Sequence, residues 1–245
     1  MHKYKILIEY DGTGFAGWQK QNHMPSIQEE IEKAIFKFTH ERVGAYGSGR
    51  TDAGVHALGQ VAHFDLIKQY PERTIVNAMN YHLRPNKIVL LDCKKVKTEF
   101  HARFSAKKRT YKYLILNRIV PPTIEINKVW HIKEPLNIHQ MQSAAKLFEG
   151  QHDFTSLRMS QCQAKSYLKT IDYIKFFSKK DHITIRITAR SFIHKMVRNI
   201  VGMLRMIGNQ KWTEEKIIFL LNAKDPAPQK MIAPAFGLYL EKIDF

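Results

Sequence analysis

The sequence predicts an α+β fold of ferredoxin-like type, and three observations carry that expectation. Lys3 to Tyr10 alternates between a face of Tyr4, Ile6 and Ile8 and a face of Lys5, Leu7 and Glu9, the two-residue period of a strand. Pro25-Ser26-Ile27-Gln28-Glu29 reads as a helix start, with Ser26 placed to cap it and Glu29 in the reciprocal position three residues on. The elements up to Val96 then follow the order strand, helix, strand, strand, helix, strand.

Between the first strand and that helix, Asp11 to Met24 is a polar, glycine-bearing loop containing Phe15, Trp18, Gln19, Lys20 and Gln21. Its two large aromatics either reach outward to contact bases or plug the edge of the core. The helix runs to about Thr39 and buries Ile27, Ile31, Ala34, Ile35 and Phe38. A short strand near Arg42 to Tyr46 delivers the chain into a glycine-rich segment, and Gly59 to Asp65 alternates as the next strand. A second helix spans Pro71 to Leu83, and Ile88 to Val96 returns as a strand. A domain junction is expected near residue 105, which gives an N-terminal unit of residues 1–105 and a C-terminal unit of residues 106–245.

His101 to Asn117 is a basic run leading into a strand, where Arg103, Lys107, Lys108, Arg109 and Lys112 surround Tyr111 and Tyr113. The two tyrosines share a face. They belong either to a solvated basic edge or to a surface that stacks bases and holds phosphates. Asn117 to Pro135 reads as a connection with a short strand at Val129 to Ile132, and Asn137 caps a helix that runs to about Glu149 and stops at Gly150. His152 and Asp153 are adjacent, so their side chains diverge, and the segment to Leu157 reads as a structural loop instead of a catalytic pair.

Lys169 to Phe177 and His182 to Arg190 form a hairpin with Ile183, Ile185 and Ile187 inward. Phe192 to Ile207 is the most apolar helix, and it carries Arg198 and Arg205 seven residues apart on one side. A cation on so apolar a helix must snorkel or find an anion, for which Asp52 is the candidate. Thr213 starts a further helix through Leu221, and Phe236 to Ile243 closes as a strand.

The chemistry is expected in the stretch from Gly47 to Asp65. Gly47, Gly49 and Gly54 flank Arg50 and Asp52, so the backbone can turn with positive φ and a partner can approach it. If the chain is extended around Thr51, Arg50 and Asp52 project to the same side and Thr51 to the other. A cation and a carboxylate then share one opening. The loop by itself leaves a second reading open, an ordinary turn aspartate bonded to nearby amides.

Composition narrows the partners. The 245 residues carry 39 Lys+Arg against 22 Asp+Glu, a net charge of +17 and a pI near 9.8, which points to a polyanion. A membrane surface would call for a basic amphipathic helix or a localised polybasic block, whereas these cations are spread throughout. Interleaved Phe and Tyr favour unpaired or distorted RNA over regular duplex. No run of about 18 apolar residues appears and the opening residues lead into a strand, so a cytoplasmic protein is expected. Cys93 and Cys162 lack the spacing of a metal or redox motif and are expected to be reduced, buried thiols. A metal-dependent hydrolase built on Asp52, His56, His63 and Asp65 lacks a clear third ligand group. A non-catalytic RNA-binding module explains the charge and leaves Asp52 without a purpose.

Five motifs then add up in order: Gly-Arg-Thr-Asp-Ala-Gly-Val-His-Ala (49–57), Phe-His-Ala-Arg-Phe (100–104), Arg-Thr-Tyr-Lys-Tyr (109–113), His-Asp-Phe-Thr-Ser (152–156) and Met-Val-Arg-Asn-Ile-Val-Gly (196–202). With Gly-Leu-Tyr-Leu (237–240), they make the chain resemble the TruA family of tRNA pseudouridine synthases from end to end. The resemblance implies two ferredoxin-like (RNP-like) halves forming one continuous, mainly antiparallel sheet, with helices on one face and the active cleft between the halves. It also implies a cofactor-free homodimer that isomerises uridine to pseudouridine in the tRNA anticodon stem-loop at positions 38 to 40. By motif match Asp52 would be the nucleophilic aspartate, Arg198 its paired arginine and Tyr111 the tyrosine stacked on the target uracil. Arg50 would assist the flipped-out nucleotide, Leu238 would contact the substrate, and no metal is implied.

Overall fold

The computed structural model describes residues 1–159, 166–223 and 231–245. In chain order the elements are β1 (His2–Tyr10), α1 (Ile27–Thr39), β2 (Tyr46–Gly47), β3 (His56–Leu66), α2 (Glu72–Leu83), β4 (Ile88–Lys95), β5 (Lys108–Asn117), β6 (Trp130–Ile132), α3 (Ile138–Ala145), β7 (Gly150–Asp153), β8 (Leu168–Lys179), β9 (His182–Ala189), α4 (Met196–Gly208), α5 (Glu214–Asn222) and β10 (Leu238–Asp244). They form an α+β protein whose strands pair mainly antiparallel, in two compact units: Met1–Lys107 with Tyr239–Phe245, and Lys108–Leu238.

In the first unit β1 lies between β4 and β3, antiparallel to both, and the short β2 pairs with β3. The order β4-β1-β3-β2 is the ferredoxin-like arrangement. Tyr4, Ile6, Ile8 and Tyr10 of β1 are buried together with Ile27, Ile31, Ala34 and Ile35 of α1 and Ile75, Met79 and Leu83 of α2, while Glu9, Val89 and Leu91 are exposed. The start of α1 follows from its sequence: the Ser26 hydroxyl accepts from the Glu29 N–H at 3.3 Å, and Glu29 and Glu30 place negative charge in the first turn. The strand expected over 42–46 is reduced to Tyr46–Gly47. The edge of β3 is shared, since β2 pairs at Ala62 and His63, and β10 pairs in parallel at His56 and Ala57.

In the second unit β5 pairs with β9, β9 with β8 and β8 with β7, all antiparallel, and β6 adds to β5 in parallel. Ile183, Ile185 and Ile187 are buried, as the alternation requires. The helix expected over 137–149 ends at Ala145 and tightens into a 3-10 turn over Lys146–Phe148 before Gly150 at φ 84°. The apolar helix begins at Met196 instead of Phe192: Lys195 takes a left-handed φ of 60°, and the Phe192 ring packs edge-on against Tyr111 at 5.2 Å. Phe236 likewise belongs to a 3-10 turn over Ala235–Gly237 that precedes the last strand.

Cys93 is buried, and its thiol is pushed up to about 12 by burial and by the nearby Glu72 and Asp92 carboxylates, which leaves it protonated and inert. Cys162 lies outside the described residues. Among the described residues no helix is long and apolar enough to cross a membrane.

Candidate active site

Asp52 stands on a loop whose neighbouring residue is clamped on two sides. Thr51 is buried; its hydroxyl bonds the Tyr10 hydroxyl at 2.8 Å and its carbonyl accepts from the Trp18 N–H at 3.1 Å. Asp52 itself pairs with Gly17 in an isolated antiparallel bridge, and its carbonyl accepts from the Val55 N–H at 3.1 Å to close a turn. With Thr51 buried, Asp52 half-buried and Arg50 exposed, the side chains alternate as an extended chain demands. The carboxylate is thus presented by a backbone that has little freedom.

Glycines permit the close approach in different ways. Gly54 takes φ 76° in the turn after Asp52, whereas Gly47 and Gly49 are not among the positive-φ residues. At Gly47 the requirement is space, because a Cβ there would meet the Trp18 indole at 2.5 Å. Gly17 needs both: it sits at φ 101°, and a Cβ would lie 2.2 Å from the Thr51 carbonyl oxygen. Phe15 and Trp18 are therefore core plugs, 8% and 3% exposed, and the base-contact reading of these two aromatics is set aside.

Two residues of β3 hold the neighbouring loops, Gln60 the one that carries Asp52 and His56 the one that begins at Asp11. Gln60 is fully buried; its amide donates to the Gly49 carbonyl at 2.8 Å and accepts from the Val61 N–H. His56, also buried, accepts from the Gly12 N–H at 3.1 Å and stacks on Tyr239 of β10 at 4.7 Å. His56 drew notice in the sequence only as a candidate metal ligand and Gln60 not at all, although a glutamine at an inward strand position is a legible signal, since a buried amide needs partners.

Arg50 and Asp52 thus share one loop of the first unit, and Tyr111, Arg198 and Leu238 belong to the second. There the Arg198 guanidinium donates through Nε to the Ala233 carbonyl at 2.8 Å, and the Ala233 N–H returns a bond to the Arg198 carbonyl at 3.0 Å. Gly202 makes room for this strap, since a Cβ there would fall 1.6 Å from the Met231 carbonyl oxygen. The Tyr113 hydroxyl donates to the Pro234 carbonyl at 2.8 Å, and its ring lies against Gly237, the residue before Leu238. Burial holds the Tyr113 hydroxyl well above the usual tyrosine range, with the Arg198 charge acting in the opposite direction. Tyr111 and Leu238 are both buried by the fold, at 9% and 6% exposure.

Other candidates resolve into structure. Arg205 finds its anion in Glu134 at 3.6 Å. Lys108 pairs with Asp172 at 2.8 Å and Arg109 donates to the Arg190 carbonyl at 2.6 Å, so both tie strands together. Asp153 accepts from the Thr155 N–H and hydroxyl and His152 bonds the Glu149 carbonyl, both local contacts, although residues 150–153 form a strand and not a loop. Among the described residues no group of three or more His, Cys, Asp or Glu side chains could hold a metal ion.

A sensitive group sits beside β2. His63 is buried, and its Nδ1 accepts from the Ala102 N–H at 3.2 Å, a bond that protonation at that nitrogen would oppose. Burial, then the positive surroundings of His101 and Lys3, lower its pKa to about 4.

The sequence matches the family model described as tRNA pseudouridine synthase over residues 6–105 and 144–245. It is 49% identical over 244 residues to the tRNA pseudouridine synthase A of Ehrlichia canis, covering 99% of this chain and 100% of that one. To the tRNA pseudouridine synthase A of Rhodospirillum rubrum it is 44% identical over 245 residues, covering 100% of this chain and 88% of the other. A solved chain from a Cbf5-Nop10-Gar1 complex overlaps 82% of this chain and 45% of its own length at a TM-score of 0.39 and 12% identity, too slight a likeness to carry weight.

Gly17→Ala should shift the Thr51–Asp52 backbone, costing about 1–3 kcal/mol of stability from overpacking and reducing turnover. Gly14→Ala is the control, since Gly14 has a φ of 83° and nothing within 4 Å of a Cβ, so it should show only left-handed strain of about 1–2 kcal/mol. Thermal melts and turnover assays compare the two.

The unfolded chain binds a proton at His63 below about pH 6.5 and the folded chain only near about 4, so stability should fall as pH drops through that window. His63→Gln should flatten this part of the profile in melts taken between about pH 7 and 4.

Proposed function

The chain belongs to the tRNA pseudouridine synthase family, and from that premise we propose that Asp52 supplies the carboxylate through which it isomerises uridine to pseudouridine in tRNA. The observation that carries the assignment is the presentation of Asp52: a half-buried carboxylate on a backbone fixed at Thr51, beside the exposed Arg50. A turn aspartate needs no such clamp.

The reaction breaks the N1–C1′ bond of uridine, turns the uracil and joins C5 to C1′. An ionised carboxylate serves either by attacking C1′ or by taking a proton from C2′ to give a glycal. Rigid presentation matters in both routes, because a reacting group displaced by 1 Å loses much of its advantage. A uridine inside a helix is out of reach, so the nucleotide must be everted at a cost of roughly a few kcal/mol. Stacking on an aromatic ring offsets about 1–3 kcal/mol of that cost per base, the role we assign to Tyr111. We assign Arg198 the part the family resemblance implies, the arginine paired with that carboxylate. Arg50 assists the everted nucleotide and Leu238 offers an apolar contact to the base.

The finer reading follows the family resemblance. The target is the anticodon stem-loop at positions 38 to 40, the working form is a homodimer without a cofactor, and the setting is cytoplasmic. The net charge of +17 supports a polyanionic substrate of this kind.

Asp52→Asn should retain tRNA binding and lose at least about 10²-fold in turnover, the low end of what a positioned acid or base contributes. Pseudouridine mapping in tRNA treated with each protein reads this, and near-normal turnover in the variant refutes the role. Affinity for tRNA should fall about tenfold or more between roughly 50 and 200 mM salt, as released counterions require. Filter binding across that range measures it.

A further inference from the structure

The motif Phe100-His101-Ala102-Arg103-Phe104 has no part in the chemistry above, yet the fold builds it with care. The Ser105 N–H donates to the His101 carbonyl at 2.8 Å, the Ser105 hydroxyl accepts from the His101 N–H at 3.0 Å, and the Arg103 N–H donates to His101 Nδ1 at 3.1 Å. This pinned turn holds the Phe104 ring 76% exposed. The His101 ring leans on Phe104 at 4.4 Å, and the Arg103 guanidinium lies 5.7 Å from its centroid.

The rings continue inward and out again. His101 meets the buried His63 edge to face at 4.6 Å, and His63 stacks at 5.2 Å against Tyr46 of β2, which is 54% exposed. Two exposed aromatic rings are thus joined through two histidines, and both ends are rigidly backed. Cations lie beside them: Lys3 donates to the Phe100 carbonyl at 3.2 Å, and Lys95 and Lys97, together with Glu99, line an open depression of about 720 Å³ beside Phe100 and Ser105. Exposed rings flanked by cations match nucleic acid, whose bases offer π-faces and whose backbone offers phosphates. A protein partner would favour an apolar core with charge depleted from it.

We propose that Tyr46 and Phe104 form a stacking shelf for unpaired bases of the tRNA substrate, with Arg103, Lys95 and Lys97 holding the adjoining phosphates. The inference rests on the tRNA reading above and adds a binding surface to it, in the same unit as Asp52, with Tyr46 six residues before Asp52 on the chain. The shelf acts on affinity and leaves bond-making to other groups.

Phe104→Ala and Tyr46→Ala should each weaken binding of an unmodified tRNA transcript by about fivefold or more, the low end for one stacked base, and the double variant by more than either. The loss should appear in KM and Kd more than in kcat. Phe104→Tyr and Tyr46→Phe keep a ring and should restore most of the affinity. Unchanged Kd in the double variant overturns the shelf, and so does an equal loss in the ring-keeping variants. A change in sedimentation without a change in Kd assigns the rings to a protein contact and also overturns it. Wild-type protein in the same assay separates the two readings: if it neither binds nor modifies the transcript the proposed function fails, and if it does both while the shelf variants bind normally only the shelf fails.

Discussion

Thr51 is the point on which the presentation of Asp52 depends. One residue gives its hydroxyl to Tyr10 on β1 and its carbonyl to Trp18 on the loop that follows, so the sheet and the loop both act on the same peptide. A backbone held from two directions cannot rotate Asp52 away without breaking a buried bond, and an unmade buried bond costs about 1–3 kcal/mol. A reactive carboxylate would be of little use on a loop that wandered. The glycines at 17 and 47 are what allow the two segments to lie so close, one against carbonyl oxygen and the other against indole.

The same device recurs in the second unit in a different form. There an extended strap from Met231 to Pro234 crosses α4 at Gly202 and bonds Arg198 through backbone carbonyl and N–H groups. The guanidinium is aimed by main chain, which is stiffer than a second side chain would be. Tyr113 completes the arrangement by bonding the next residue of the strap. In both units a glycine with no room for a Cβ marks the place where one segment fixes the aim of a charged side chain on another.

Much of this was legible in the sequence because periodicity and capping report local physics. The alternation in β1, the Ser26 cap and the Ile183–Ile187 run correspond to what the structure shows. The errors fall where distant contacts override local preference. Phe192 suits an apolar helix and instead packs against Tyr111; residues 42–45 suit a strand, yet pairing begins only at Tyr46. Trp18 and Phe15 could be read either as base contacts or as core plugs, because nothing nearby in sequence announces that the loop folds onto residues 47–52 and buries them. Gln60 went unremarked and His56 was weighed only as a metal ligand for the same reason: their importance lies in partners 11 and 44 residues away.

The parallel pairing of β10 with β3 has a bearing on how the protein is made. His56 and Ala57, just after the Asp52 loop, meet their partners Tyr239 and Leu240 only from the far end of the chain. A ribosome delivers the first 107 residues with that edge still open, and His56 lacks the ring that will cover it. The unit that carries Asp52 is therefore finished last although it is translated first, so a nascent chain halted short of residue 239 would hold its aspartate loop on an incomplete sheet.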